Sequence, residues 1–298
     1  MRVQYRNNSL PIRGAVLIQD VRDYYAKLLI QTPIQVPNYE IIEVELDSRI
    51  EHFVVKKQEF IESGFHTTLV TEKQDDTLSK IYESVQGVMT VEEVANTIGM
   101  KVAPSVKTNK TWWSIPRSSC RTILDTLSRY ASVPDGGAPV FFINLKGELD
   151  MIDYVWSTTK QPITAQGGVK TDVIDVEWMY SYPANLQIYG FSVDGPFEEE
   201  VCMNKNLPWA RRFVSDNTGN FKNLVIQAFK NKYNRLLYTS EVIEFESAVP
   251  LLLGDYISLG EDLELNYVVE SVKTPLFTTN QQIVKFKIRA VCRPSELK

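Results

Sequence analysis

Residues 284–290 alternate without a break: Val284, Phe286, Ile288 and Ala290 are apolar, while Lys285, Lys287 and Arg289 are charged. Successive side chains of a strand point to opposite faces, so a period of two specifies one buried and one wetted face. Ile42-Glu43-Val44-Glu45-Leu46-Asp47 repeats the pattern near the other end of the chain. A helix cannot bury either run, because its apolar stripe recurs every three or four residues. Phe53-Val54-Val55, Thr67-Thr68-Leu69-Val70, Val242-Ile243-Glu244-Phe245-Glu246 and the run Tyr267 to Val272 are further β-branched or aromatic segments between turn signals. Leu251 to Ile257 reads as a buried strand bent at Gly254. Two β regions are therefore expected, and short strands at regular spacing favour barrels or sandwiches.

Between them the texture changes near residue 86. Thr90-Val91-Glu92-Glu93 predicts a capping box, in which Thr90 accepts from the Glu93 amide while Glu93 reaches back. Val91, Val94, Ala95 and Ile98 follow on one helical stripe, and Gly99 supplies a left-handed stop. A second helix after Pro116 is capped by Ser118 or Ser119 and buries Ile123, Leu124, Leu127, Tyr130 and Ala131. Phe141 to Leu145, Lys146-Gly147, and Glu148 to Ile152 predict a tight hairpin with Gly147 at positive φ. Residues 86–154 thus form a small α/β unit. Helical spacing also predicts short helices over Asp20–Ile30, through Val21, Tyr24, Tyr25 and Leu28, and over Asn223–Lys232. Residues 156–200 read as irregular, with Asp172–Tyr180 and Leu186–Phe191 as candidate strands and Glu198-Glu199-Glu200 in a loop.

Composition narrows the function. At 298 residues the chain holds about two domains. Aromatics at 11% exclude a wholly disordered chain, and a formal charge of −5 excludes a general polyanion binder. Only two histidines occur, which argues against a His-rich metal site. Cys120, Cys202 and Cys292 form no CxxC pair and read as small buried hydrophobes. The N-terminus is polar and no apolar run approaches the roughly 20 residues of a membrane helix, so synthesis as a soluble protein in the cytoplasm and no membrane insertion are expected. No P-loop, GxSxG or HExxH motif is present, and neither a cofactor nor a metal nor a catalytic residue is expected.

Two features point to contacts with partners. Trp112 and Trp113 are adjacent, so on an extended segment they face opposite sides. Either they offer an aromatic contact to a partner, or one lies in the core and the other under a loop. From Lys205 to Arg235 seven basic residues stand against Asp216, with Trp209 and Phe213 interleaved among Arg211 and Arg212. That stretch suits a protein interface or single-stranded nucleic acid, or else a solvated face.

The order of parts is a β segment, an inserted α/β unit, an irregular return, and a second β segment led by a helix. It resembles the central hub proteins of contractile phage tails, the late-control protein D and baseplate-hub group. The stretches that carry the likeness are Met89 to Ala95, Trp112-Trp113-Ser114-Ile115-Pro116, Ile123 to Ala131 and Phe141 to Leu149, which resemble the inserted domain of that family. Asn231 to Tyr238 and Pro250 to Leu259 are similar to its later barrel. The likeness covers about two thirds of the chain and leaves 156–220 unmatched.

The resemblance implies an α+β, mainly β fold with two tube-protein-like β-barrels and an inserted small α/β domain. Residues 1–85 with 155–200 would form the first barrel, 86–154 the insert, and 201–298 the second barrel. It implies a homotrimer, a ring that adapts a six-fold tail tube to a three-fold central spike within the virion tail baseplate. The implied partners are the tail tube protein, the spike, baseplate wedge proteins and the tape-measure protein, with DNA in transit. No enzymatic role is implied, and spike or lysozyme activity is expected from a separate chain. Trp112, Trp113, Trp209, Arg211 and Arg212 are the candidate interface residues, and Glu43, Glu45 and Asp47 are candidates for an acidic channel lining that DNA would not adhere to. The rival readings are a cell-wall hydrolase of the tail tip and a nucleic-acid-binding module using 205–235.

Overall fold

The computed structural model describes residues 1–46, 49–134, 137–153, 163–164, 169–175, 185–202, 209–213, 221–238, 241–247, 251–258, 266–277 and 286–293. The first β region contains β1 (Arg2–Tyr5), β2 (Asn8–Ser9), β3 (Gly14–Asp20), β4 (Lys27–Thr32), β5 (Ile41–Leu46), β6 (Arg49–Ile61) and β7 (Gly64–Thr71). The central unit contains α1 (Glu72–Leu78), β8 (Ile81–Tyr82), β9 (Val85–Met89), α2 (Val91–Thr97), β10 (Thr111–Ile115), β11 (Ser118–Ser119), α3 (Cys120–Tyr130), β12 (Pro139–Ile143) and β13 (Leu149–Asp153). The remainder contains β14 (Ile163–Thr164), β15 (Val169–Asp175), β16 (Asn185–Ser192), β17 (Gly195–Cys202), β18 (Trp209–Phe213), α4 (Lys222–Tyr238), β19 (Glu241–Ser247), β20 (Tyr256–Ser258), β21 (Asn266–Phe277) and β22 (Phe286–Arg293). The fold is mainly β with four α-helices among the described residues.

The alternating run at β5 behaves as its pattern requires. Ile42 and Val44 are fully buried, while Glu43 and Glu45 lie on the other face. With Val3, Leu28, Phe53, Val55 and Leu69 they form the core under the first β region. On β22, Ile288 is likewise buried; Val284 and Lys285 lie outside the described residues.

Strand β21 joins the two β regions. Along one edge its first residues, 266–268, pair with β20, and 271–277 pair antiparallel with β3. Its other edge carries β22. The result is a thirteen-stranded sheet whose main path runs β15-β19-β22-β21-β3-β4-β7-β6-β5-β1-β2, with β20 beside β21 and β14 beside β20. Pro275 has no N–H to give to a ladder, and the register shift between Pro275 and Phe277 accommodates it. Among the described residues no ladder closes this path into a barrel. Strands β14 and β15, within the stretch expected to join residues 1–85, ladder onto β20 and β19 of the last third of the chain.

Three expectations are corrected. Asp20–Ile30 is not a helix but one 3-10 turn, Val21–Asp23, followed by β4. Tyr24 adopts φ 65°, which ends the turn, and the ladders from β4 to β3 and β7 outweigh local helical spacing. Residues 185–202 form a regular hairpin: the candidate strand Leu186–Phe191 is β16, whereas Glu198, Glu199 and Glu200 lie on β17 rather than in a loop. Asn231 to Tyr238, likened to barrel sequence, continue α4 to its end.

The central unit folds as its local signals indicate. Thr90 and Glu93 make the reciprocal capping box, and Ser119 caps α3. Cys120, Ile123, Leu124 and Leu127 meet Trp113, Phe141 and Ile143 in one core. The β12–β13 hairpin turns at Gly147, φ 74°, where a Cβ would come within 2.5 Å of the Lys73 carbonyl oxygen. Both faces of β12 are buried. Phe141 and Ile143 fill the insert core, while Val140 and Phe142 pack with Val21, Ile152, Tyr256 and Val268.

Backbone and side chain together fasten this unit to the sheet. The Ile143 amide donates to the Tyr24 carbonyl at 2.7 Å. Gln74, fully buried, donates through Nε2 to the Ala26 carbonyl at 2.9 Å, and its Oε1 accepts from the Thr71 amide at 2.9 Å. Asn231 on α4 does the same for α3. Its Nδ2 donates to the carbonyls of Arg129 and Ala131, both at 2.9 Å, where the helix leaves its last carbonyls without partners of its own.

Asp20 sits where β3 meets β21, paired with Ser271. Burial raises its pKa, but hydrogen bonds from the Arg22 backbone and guanidinium, at 2.9 and 2.5 Å, and from Ser271 outweigh that and hold the carboxyl below its usual range. A depressed carboxylate pKa stabilises the fold above the unfolded value, about 3.9, and that stabilisation is lost as pH falls through the folded value. Chemical denaturation across pH should therefore show stability falling below about pH 4, and Asp20→Asn should flatten that fall while lowering stability at neutral pH. An unchanged acid limb in the variant would contradict this role.

Candidate interaction surfaces

The adjacent tryptophans separate as their spacing requires. On β10, Trp113 enters the insert core at 2% exposure, and its Nε1 donates to the Met89 carbonyl at 2.9 Å. That places it out of reach of any partner. Trp112 faces the opposite way and is half-buried. Phe221 meets it edge-on, with ring centroids 5.3 Å apart and planes at 89°. This pair forms one wall of a cleft of about 630 Å³ whose other walls include Lys110, Ser132, Asp194 and Gln227. The cleft lies where the insert meets the start of α4 and the tip of the β16–β17 hairpin. That tip exposes Phe191 and Val193. The dipeptide Asp194-Gly195 between two strand-like runs was the sequence signal for this hairpin.

The other candidate interface residues fall on β18, which runs parallel to β16. Trp209 stands in register with Asn185, Arg211 with Gln187 and Arg212 with Ile188. Lys205 and Asp216 lie outside the described residues; of the rest, Arg211 and Arg212 fall on β18 and Lys222, Lys230, Lys232 and Arg235 on α4, and Lys222 is neutralised locally. Lys222 Nζ lies 2.8 Å from Glu199 Oε2 and holds that carboxyl below its usual range.

Glu43 and Glu45 share the outer face of β5. In register across the ladders, His52 and Gln4 flank Glu43, and Ile50 and Arg2 flank Glu45. Asp47 lies outside the described residues. Ile41 and Ile50 are 45% and 63% exposed beside these carboxylates. The inner face of the same β5–β6 hairpin borders a second cleft, of about 480 Å³. Its floor is apolar, with Leu17, Leu28, Phe53 and Leu276, and its rim carries Arg49, Glu51, Lys73 and Lys146. The cleft exists because the β12–β13 turn, bearing Lys146, is held against α1, where Thr77 Oγ1 donates to the Gly147 carbonyl at 2.9 Å. Composition signals neither the cleft nor its charge, since Arg49, Lys73 and Lys146 are far apart in the chain.

Burial pushes the Cys120 thiol up to about 12, so at neutral pH it is protonated and a poor nucleophile. His52 Nδ1 lies 3.8 Å from Glu72 Oε2 at the surface. Among the described residues no group of three or more His, Cys, Asp and Glu side chains is placed to hold a metal ion, and no helix is long and apolar enough to cross a membrane.

No protein-family model matches the sequence, and no curated protein matches it. Solved structures do match in fold. The 43 kDa tail protein of prophage MuSo2 from Shewanella oneidensis superposes with a TM-score of 0.62 at 10% identity, over 100% of this chain and 99% of that one. A tail protein from Neisseria meningitidis MC58 gives 0.59 at 12% identity, over 97% and 95%. A type VI secretion component of Escherichia coli, c3393, itself similar to the phage T4 tail proteins gp27 and gp5, gives 0.51 at 11% identity, over 100% and 80%. The chain therefore has the fold seen in phage tail proteins.

The two tryptophans should separate in energy as they do in space. Trp113→Ala should cost about 3–5 kcal/mol of unfolding free energy, as for large aromatic truncations in a core. Trp112→Ala, which loses an edge-on aromatic contact of about 0.5–1.5 kcal/mol and the smaller buried area of a half-exposed ring, should cost clearly less than Trp113→Ala. Urea denaturation of the two variants measures both, and equal losses would contradict the assignment.

Proposed function

We propose that this chain is a structural protein of a phage or phage-like tail. It acts as a hub whose three copies form a ring between tail tube and central spike. The observation that supports it most is the full-length match in fold to the MuSo2 tail protein, which covers nearly all of both chains. The match in fold to c3393, a type VI secretion component with structural similarity to phage T4 tail proteins, supports the same reading. Within this reading the two β regions are the tube-like halves, and the insert is the element that departs from a simple tube subunit. The partners are then the tail tube protein, the spike, wedge proteins and the tape-measure protein, in the baseplate of the virion tail.

Light scattering behind a sizing column tests the reading. A mass about three times 34.1 kDa is expected, either for the purified protein or after co-expression with the adjacent tube and spike proteins. A strict monomer that joins neither partner would overturn it.

A further inference from the structure

The two faces of the β5–β6 hairpin carry opposite charge. The outer face presents Glu43 and Glu45, with Glu72 of α1 beside His52, and Arg2 stands across from Glu45. The inner face borders the cleft whose rim holds Arg49, Lys73 and Lys146 against Glu51. Each face also carries apolar surface of the kind the other needs. Outside, Ile41 and Ile50 are 45% and 63% exposed; inside, the half-buried Leu17 and Leu276 floor the cleft, with Phe53 buried beneath them. Large exposed apolar groups beside carboxylates suit a protein contact better than a wetted channel wall.

We propose that the basic-rimmed cleft is the docking site for the acidic outer face of the same hairpin on a second copy of this chain. Ile50 enters the apolar floor, and Glu43 and Glu45 meet Lys73, Lys146 and Arg49. The inference rests on the ring reading and names the surfaces that would build the ring. Because the donor and acceptor surfaces differ, the contact is heterologous, and such a contact repeats around a closed ring or runs on as a filament. Because the two surfaces lie on opposite faces of the β5–β6 hairpin, the cleft being completed by α1 and the β12–β13 turn, each copy can accept a neighbour on one side and dock into another on the opposite side.

Charge reversal tests it at the exposed Glu45, Lys73 and Lys146 and the half-buried Glu43, none of which belongs to the buried core. One variant carries Glu43→Lys with Glu45→Lys, a second carries Lys73→Glu with Lys146→Glu, and a third carries all four changes. Circular dichroism establishes that each is folded, and light scattering over a concentration series gives its assembly. Each two-site variant should lose assembly, with association weakened at least tenfold, because like charges then face each other. The four-site variant should regain it. Assembly of the native protein should also weaken as salt rises from about 0.05 to about 0.5 M. Two-site variants that assemble like the native chain would overturn this contact and leave the ring reading standing. A native chain that remains monomeric with tube and spike present would overturn both.

Discussion

The pairing of β21 with β3 is the contact on which the rest of the structure depends. It joins residues 271–277 to residues 15–20, roughly 250 positions apart. Closing so long a loop costs chain entropy that no local propensity returns, so the contact must be repaid by what it assembles. It assembles a great deal. One long strand carries β22 along one edge and both β20 and β3 along the other, which turns two β regions into one sheet. Asp20 and Ser271 mark the junction with a buried polar contact, and Pro275 is tolerated there because the register shifts beside it.

The insert is positioned by the same region. Tyr24 and Ala26, just beyond the end of β3, receive Ile143 and Gln74, so the insert hangs from the strand that forms the junction. From that attachment both clefts follow. The β12–β13 turn brings Lys146 over the inner sheet face and completes the basic rim. On the far side, α3 and β10 meet α4, where Asn231 closes the end of α3 and Trp112 leans on Phe221. The surfaces available to partners are thus set by how three units are fastened, not by any one segment.

Much of the local structure was legible in the sequence, and the physical reason is range. The capping box of Thr90 and Glu93, the stripe of Ile123, Leu124 and Leu127, the turn at Gly147 and the alternation of β5 all act within a few residues. Asp20–Ile30 misled because Val21, Tyr24, Tyr25 and Leu28 fit a helical stripe as well as a turn and strand, and only the ladders to β3 and β7 decide between them. The extent of β21 beyond Val272 was hidden for a similar reason, since Lys273, Thr274 and Pro275 look like a strand's end until β3 is beside them. Trp112 and Trp113 could be assigned to opposite sides but not to their partners. Met89 and Phe221 come from elsewhere in the chain. The basic cleft was invisible because its three cations converge only in the fold.

The proposed role, holding two partners in fixed relation, needs the halves of the subunit to act as one body, and the continuous sheet is a physical basis for that. Native-state hydrogen exchange across β3, β4, β7, β21 and β22 tests it most directly. If the sheet is one cooperative unit, amides in all five strands exchange together, at the slow rate set by global unfolding. Amides of β21 and β22 that exchange orders of magnitude faster than those of β4 and β7 would show two independent bodies and contradict the junction at its core.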